Sequence, residues 1–345
     1  MTILNKYFGL FLIGMLTAFS VKSQDPEKQN SGNGNHRIVF YNLENYFDTK
    51  NDSTRSYNEF TPDGQLHWTE RKYQEKRARI FQVLTAIAEW EPITLMGFVE
   101  IENAFVLQDL INSTPLSREN YQLVHYESDD FRGIDVGLIY HADRFKFLSS
   151  QKIRIKDPGD PAFTTRDILY VKGLLANDTL HVFVNHWVSR WRGVMESQYL
   201  RILCAETLTV VVDSVCSLNP NANILLMGDF NDNPDDESIL RLTSESEKCQ
   251  LFNVALKPTN KDVRGTLKYG SEWSYFDQFL VSAALLSDKT KLMLKSESGL
   301  VFDASFLLEE DKKHLGVKPK RTHIGFKYNG GFSDHLPIII DIFAK

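Results

Sequence analysis

The chain is short of cysteine, of positive charge and of long apolar runs, and each shortage excludes something. Only three cysteines occur among 345 residues, none before Cys204. That argues against a lipid-anchored N-terminus and a disulfide-built scaffold, and no Cys/His cluster has zinc-ligand spacing. Cys204 and Cys216 fall on one expected helix, about 18 Å of rise apart, whereas a disulfide needs Cα atoms within about 7 Å. That pair is excluded if the helix is straight, and Cys249 can join either. The formal charge of −6 argues against tight, non-specific binding to duplex nucleic acid, yet it leaves room for acids gathered around cations. No tandem repeat is present, and no low-complexity tract beyond one short linker. Tyr7–Phe19 is uncharged and apolar but only thirteen residues long, against the roughly 20 that a bilayer span needs. With Lys6 before it and Val21 and Ser23 after it, the run reads as a signal peptide over residues 1–23. Residues 24–36, charged and rich in Gly and Asn, read as a flexible linker. The expectation is an exported protein, periplasmic or extracellular, with no membrane anchor after cleavage and a single domain over 37–345. Loss of Lys6 and Lys22 with the leader brings the charge to about −8.

What is present is an ordinary globular composition, 42% hydrophobic and 12% aromatic. Arg37–Tyr41, Ile93–Val99, Ile134–Tyr140, Leu180–Val184, Ile224–Met227, Phe276–Val281 and Leu336–Ile342 read as strands, several apolar on both faces and so suited to covered sheets. Two amphipathic helices are expected. One is Glu70–Trp90, with Thr69 as N-cap and a stripe of Tyr73, Ile80, Val83, Leu84 and Ile87. The other is Glu196–Ser217. The mixture indicates a layered α/β domain. Chemically competent residues sit where strands begin or end, so their side chains can converge on one sheet edge.

Three segments stand out. Gly228-Asp229-Phe230-Asn231-Asp232-Asn233-Pro234 follows an apolar run; alone, it would pass for a strand-to-helix turn. Ser333-Asp334-His335-Leu336-Pro337 sets a carboxylate beside an imidazole, directly before Ile338-Ile339-Ile340. Glu100-Ile101-Glu102-Asn103 ends a buried run in an acid, which is costly unless paired or metal-bound. Together with Tyr41-Asn42-Leu43-Glu44, Asn185-His186-Trp187 and Phe276-Asp277-Gln278, in this order, they resemble the motifs of the endonuclease/exonuclease/phosphatase superfamily. That superfamily includes pancreatic-type deoxyribonuclease, apurinic-site endonucleases, neutral sphingomyelinases and inositol-phosphate phosphatases. The likeness runs from about Arg37 to Lys345. Arg132-Gly133-Ile134-Asp135-Val136, Thr165-Arg166-Asp167 and Gly330-Gly331-Phe332-Ser333 resemble an exported bacterial branch.

The resemblance implies a four-layer α/β sandwich, two packed mixed sheets flanked by helices, and hydrolysis of phosphoric esters by metal-assisted water attack. Cleaving a phosphodiester gathers negative charge on the non-bridging and leaving oxygens, which a carboxylate-held cation offsets. Hard oxygen ligands select Mg²⁺ or Mn²⁺. Glu100 is the first expected ligand, followed by Glu44 and Asp334, with Asn42 supporting; relatives commonly carry Asp where Glu44 stands, so the longer side chain shifts the reach. Asp229 or His335 is the expected base, Asp277 orients His335, and Asn231 holds phosphate or water. His186 would protonate the leaving oxygen or bind phosphate, and Arg166 would contact phosphate. Arg190, Trp191 and Arg192 have the look of a base-stacking loop, an aromatic between cations. Tyr269 and Trp273 near Lys268 share that look, while the run from Lys312 to Arg321 reads as a solvated face.

The expected function is a divalent-metal-dependent phosphodiesterase with nucleic acid as substrate, and no stable protein partner is implied. Two other readings compete. One is a phosphatase or phospholipase C-type enzyme acting on inositol phosphates or sphingomyelin, against which the lack of a long apolar hairpin counts. The other is an inactive binding protein, against which the full set of catalytic positions counts.

Overall fold

A computed structural model describes residues 34–51, 58–244 and 248–345, apart from the side chain of Arg192. The expected signal peptide and most of the expected linker lie outside the described residues. Gly34–Lys345 forms one compact unit, and strand β1 (Asn35–Tyr46) begins inside the stretch expected as linker. Asn35 and His36 are drawn into the sheet by pairing with Phe343 and Ile342.

Two mixed sheets carry the fold. The first contains β1, β2 (Leu95–Ile101), β3 (Tyr121–His125) and β4 (Asp135–His141). Its order is Lys257–Pro258, Leu300–Val301, Ile338–Ala344, β1, β2, β4, β3, so the C-terminal strand lies beside the first. The second contains β5 (Phe145–Ile153), β6 (Ile168–Leu175), β7 (Asp178–His186) and β8 (Asn223–Asp229), then Asp277–Ser282 and Leu251–Asn253, in that spatial order. Helices α1 (Glu70–Ala88) and α2 (Ala104–Asn112) accompany the first sheet, and α3 (Val194–Leu218) and α4 (Glu237–Ser244) the second. This is the expected four-layer α/β sandwich.

The pleat explains the layers. On β8, Leu225 and Met227 join the core between the sheets, while Ile224 and Leu226 join the core under α3. β7 alternates likewise, Val182 and Val184 inward and Phe183 outward; in Asp277–Ser282 the same holds for Phe279 and Val281 against Leu280. Successive side chains on a strand point to opposite faces. The sheets approach closely at Gly97, where an added Cβ would lie 2.8 Å from Met227 Sδ.

Strand extents exceed the sequence expectation by a residue or more at most ends. Thr69 caps α1 in extended conformation, but its side chain makes no capping bond. Cys216, at the end of α3, is disulfide-bonded to Cys249 with Cα atoms 5.7 Å apart, and Cys204 is a buried free thiol.

Candidate active site

Register and pleat assemble the centre of the site. β7 and β8 run parallel with His186 opposite Asp229, and Asp277–Ser282 runs antiparallel to β8 with Asp277 opposite Asp229. All three residues continue the inward-facing alternation of their strands, so they share one rung and one face. The first sheet contributes through two irregularities. Pairing of β1 with β2 shifts register between Asn42 and Tyr46, and pairing of β2 with β4 shifts between Val99 and Ile101. Glu44 and Glu100 lie in these bulges, which re-aim side chains.

Glu44, Asn45, Glu100 and Asn231 all have positive φ, between 50° and 58°. Such conformations cost on the order of 1 kcal/mol or more for a residue with a Cβ. Site side chains hold three of them. The Glu44 N–H donates to Asn42 Oδ1 (2.9 Å), the Asn45 N–H to Glu100 Oε2 (3.0 Å) and the Asn231 N–H to Asp229 Oδ1 (3.0 Å).

The centre is dense in charge. Asn42 Nδ2 donates to Asp229 Oδ2 at 3.0 Å and to Glu100 Oε1 at 3.4 Å. His186 Nε2 lies 3.8 Å from Asp229 Oδ2 and 3.9 Å from Glu100 Oε1. His335 Nδ1 is 2.8 Å from Asp277 Oδ2, and its Nε2 is 3.7 Å from Asp229 Oδ2. The His335 N–H and Ser333 fasten the last motif to the first: His335 N donates to Ser333 Oγ (3.1 Å), which donates to Asn42 O (2.7 Å). Burial pushes the Asp229 carboxyl up to about 7, with His335 drawing it back and Asp277 adding to the rise. Burial alone would lower the His335 imidazole, but Asp277 and Asp229 hold it well above its ordinary value. His186 is driven well below, by burial and then by Arg166 and Arg132. The surroundings thus favour the cation at His335 and the neutral ring at His186.

Glu100, Asp229 and Asp277 thus bring three carboxylates together against one imidazolium. Carboxylate oxygens are the hard ligands that a divalent cation of the Mg²⁺ or Mn²⁺ kind takes, and Glu100 is the group that would hold one here.

Other expected residues have other surroundings. Glu44 is buried, with Oε1 accepting from Arg321 Nε (3.0 Å) and Oε2 from the Thr322 N–H (2.6 Å). Asp334 Oδ2 accepts from Arg321 Nη2 (2.9 Å). Arg321 belonged to the run expected as a solvated face; two carboxylates within reach instead turn its guanidinium into the site. Arg166 is buried, bonded to Asp130 Oδ2 at 3.1 Å and to Trp187 O, and Asn231 Nδ2 also donates to Trp187 O at 3.0 Å. Both shape the strand end that presents His186. Arg190 was expected to grip substrate, but it turns inward: Nε donates to Asn231 O (2.7 Å), Nη2 reaches Asp232 and Asp236, and the guanidinium covers the Phe276 ring. Buried Asp232 attracts it, and Arg201 Nε adds a second contact at 2.7 Å. Trp191 stands 89% exposed beside it. Tyr269 is exposed and Trp273 half-buried on a hairpin whose Lys268 pairs with Asp311 at 2.9 Å.

Lys76 escaped the sequence reading. It is buried on α1, its ammonium donating to Thr322 Oγ1 (2.6 Å) and Phe332 O. Burial lowers it to about 8 against the pull of Glu44 and Asp334. Its place in the apolar stripe, three residues after Tyr73 and four before Ile80, was the available clue.

A family model described as the Endonuclease/Exonuclease/phosphatase family matches residues 37–344. The human Nocturnin catalytic domain with bound sulfate anion has a TM-score of 0.56 at 17% identity, over 90% of this chain and 95% of that one. Humanized D. rerio TDP2 gives 0.55 at 14% identity, over 90% and 99%. An endonuclease/exonuclease/phosphatase from Bacteroides vulgatus gives 0.56 at 15%, over 90% and 99%. At these identities the likeness to solved structures is one of fold, and no curated protein matches the sequence. The sequence match spans both sheets and every strand end that meets at Asp229: the chain belongs to the endonuclease/exonuclease/phosphatase family.

Proposed function

We propose that the protein is an exported, divalent-metal-dependent phosphodiesterase that hydrolyses nucleic acid. The observation that carries this reading is the meeting of two imidazoles on one carboxylate oxygen. His186 and His335 both lie within 4 Å of Asp229 Oδ2. Hydrolysis of a diester needs a group to take a proton from the attacking water and groups to steady the phosphoryl oxygens and the leaving oxygen.

Asp229, with a carboxyl raised to about 7, can accept the water proton near neutral pH. His335, kept protonated and aimed by Asp277, offers a cationic N–H to a phosphoryl oxygen. Neutral His186 offers a second hydrogen bond to the phosphate or leaving oxygen, and Arg166 holds the His186 strand end in place. A Mg²⁺ or Mn²⁺ ion on Glu100, with Asp229 alongside, would supply Lewis-acid neutralisation of the developing charge.

Nucleic acid as substrate is supported by the D. rerio TDP2 structure, of the same fold and described as complexed with single strand DNA product. Export is supported by the leader-like N-terminus and by the Cys216–Cys249 disulfide, a bond that persists in oxidising compartments. The test is one assay panel of plasmid, single-stranded RNA, sphingomyelin and inositol phosphates, with Mg²⁺, with Mn²⁺ and with EDTA. Nucleic acid should be cleaved only with metal, and Glu100→Gln should lower the rate and weaken metal dependence together. Full activity in EDTA removes the metal from the mechanism. Turnover of inositol phosphates or sphingomyelin alone transfers the assignment to the phosphatase or phospholipase C-type reading.

A further inference from the structure

Two of the three acids that the sequence assigns to the metal ion are bridged by one guanidinium. Arg321 Nε lies 3.0 Å from Glu44 Oε1 and Nη2 lies 2.9 Å from Asp334 Oδ2. The second oxygen of Glu44 is taken by the Thr322 N–H at 2.6 Å. We infer that Arg321 is a built-in counter-cation that fills the Glu44–Asp334 side of the site, so that the chain holds one divalent ion, on the Glu100 side. The inference rests on the metal-dependent reading above and deepens it.

The partners of the acids support this division. Glu44 and Asp334 are both bonded to Arg321, whereas Glu100 accepts from the Asn42 amide and the Asn45 N–H and is bonded to no guanidinium among the described residues. A second ion between Glu44 and Asp334 would have to expel a guanidinium that fits carboxylate oxygens through two N–H groups.

The surroundings fix the guanidinium. Lys76 donates to Thr322 Oγ1 and Phe332 O, so the segment behind Arg321 is tied to α1. Glu44 also explains its own length: an extra methylene over Asp carries the carboxylate from the β1 bulge to the Arg321–Thr322 segment. The Arg321 side chain is 44% exposed, so the guanidinium is reachable from solvent. It is a positioning residue, balancing charge beside the reacting centre.

The test counts ions. Mn²⁺ titrated into the full chain, followed by calorimetry and by the loss of free-Mn²⁺ resonance, should give one site. Arg321→Met should raise the count to two, and Arg321→Lys should keep it at one. Glu44→Gln should change the affinity of the first site by less than about threefold, below the roughly 10–100-fold effect of losing an outer partner, whereas Glu100→Gln should weaken it by more than about 100-fold. Two Mn²⁺ ions on the wild-type chain, or equal losses from Glu44→Gln and Glu100→Gln, would overturn the assignment of Arg321 and leave metal dependence standing. One ion on Arg321→Met, at unchanged affinity, would overturn it as well. No Mn²⁺ binding at all would remove the metal-dependent reading and this inference with it.

Discussion

His335 and Asp277 are 58 residues apart and 2.8 Å apart. A pair that acts as one unit gives non-additive losses. His335→Ala should therefore lower kcat by about 10² or more, and Asp277→Ala added to it should cost little further; two separate losses that multiply would show the groups working independently. Trp191, exposed beside the inward-turned Arg190, invites a different experiment. Trp191→Ala should raise KM for nucleic acid and leave small phosphodiesters almost unaffected, because base–aromatic stacking of about 1–3 kcal/mol needs a base. Equal effects on both substrates would assign Trp191 to folding. At this scale the sequence displayed most of the centre, since Asn42, Glu100, His186, Asp229, Asp277 and His335 meet as their motifs implied. It hid the partners of long cations. Arg190, Arg201 and Arg321 reach acids 42, 31 and 277 residues distant, and Lys76 a hydroxyl 246 residues away, and no periodicity encodes such reach.

Between elements, the Cys216–Cys249 bond fastens the end of α3 to the segment leading into the Leu251–Asn253 strand. The closed loop of 33 residues contains β8, Asp229 and Asn231. Closing a loop of that length contributes about 3–4 kcal/mol on the chain-entropy account. The double substitution Cys216→Ser/Cys249→Ser should lower the Tm by roughly 5–10 °C, measured by scanning calorimetry, and a change under about 1 °C would show that the bond carries no stability. Cys204, whose thiol burial pushes up to about 12, should resist alkylation in the folded protein of either kind. The sequence reading left this pairing open because it depends on how α3 lies on the second sheet, which no local pattern records. It recognised the doubly covered central strands but not β3, β5 and β6, whose mixed or exposed patterns lack a continuous apolar run.

Across the molecule, three imidazoles away from the Glu100 side of the site, two buried and His36 half-buried, set an acid limit. Burial, foremost, pushes His36, His181 and His323 down to about 4 from an ordinary 6.5. Below pH 6.5 the unfolded chain binds protons that the folded chain refuses, so the stability these groups contribute is complete above 6.5 and is lost as pH falls toward 4. His181 lies against Tyr170, and its Nδ1 is hydrogen-bonded to the Tyr170 hydroxyl at 2.6 Å. His181→Phe keeps the ring contact but loses that bond, so the pH slope of the Tm is the readout. The Tm of His181→Phe should fall less steeply between pH 7 and 4.5 than that of the wild type, and parallel curves would discharge His181 from the effect. The layered α/β class was legible because apolar runs and amphipathic helices reflect burial directly; the strand order was not, since it joins residues hundreds of positions apart.

That order has a bearing on timing. Ile338–Ala344 lies between Leu300–Val301 and β1, inside the first sheet and not at its rim. During synthesis from the N-terminus, β1 waits with one edge unpaired until nearly three hundred further residues have been added. Late in that interval, once Asp277 has been added, the emerging chain carries Glu100, Asp229 and Asp277 but not yet His335 or the Ser333 hydroxyl that secures Asn42. The centre, split between the opening and closing strands, is therefore completed only by the last residues to be made.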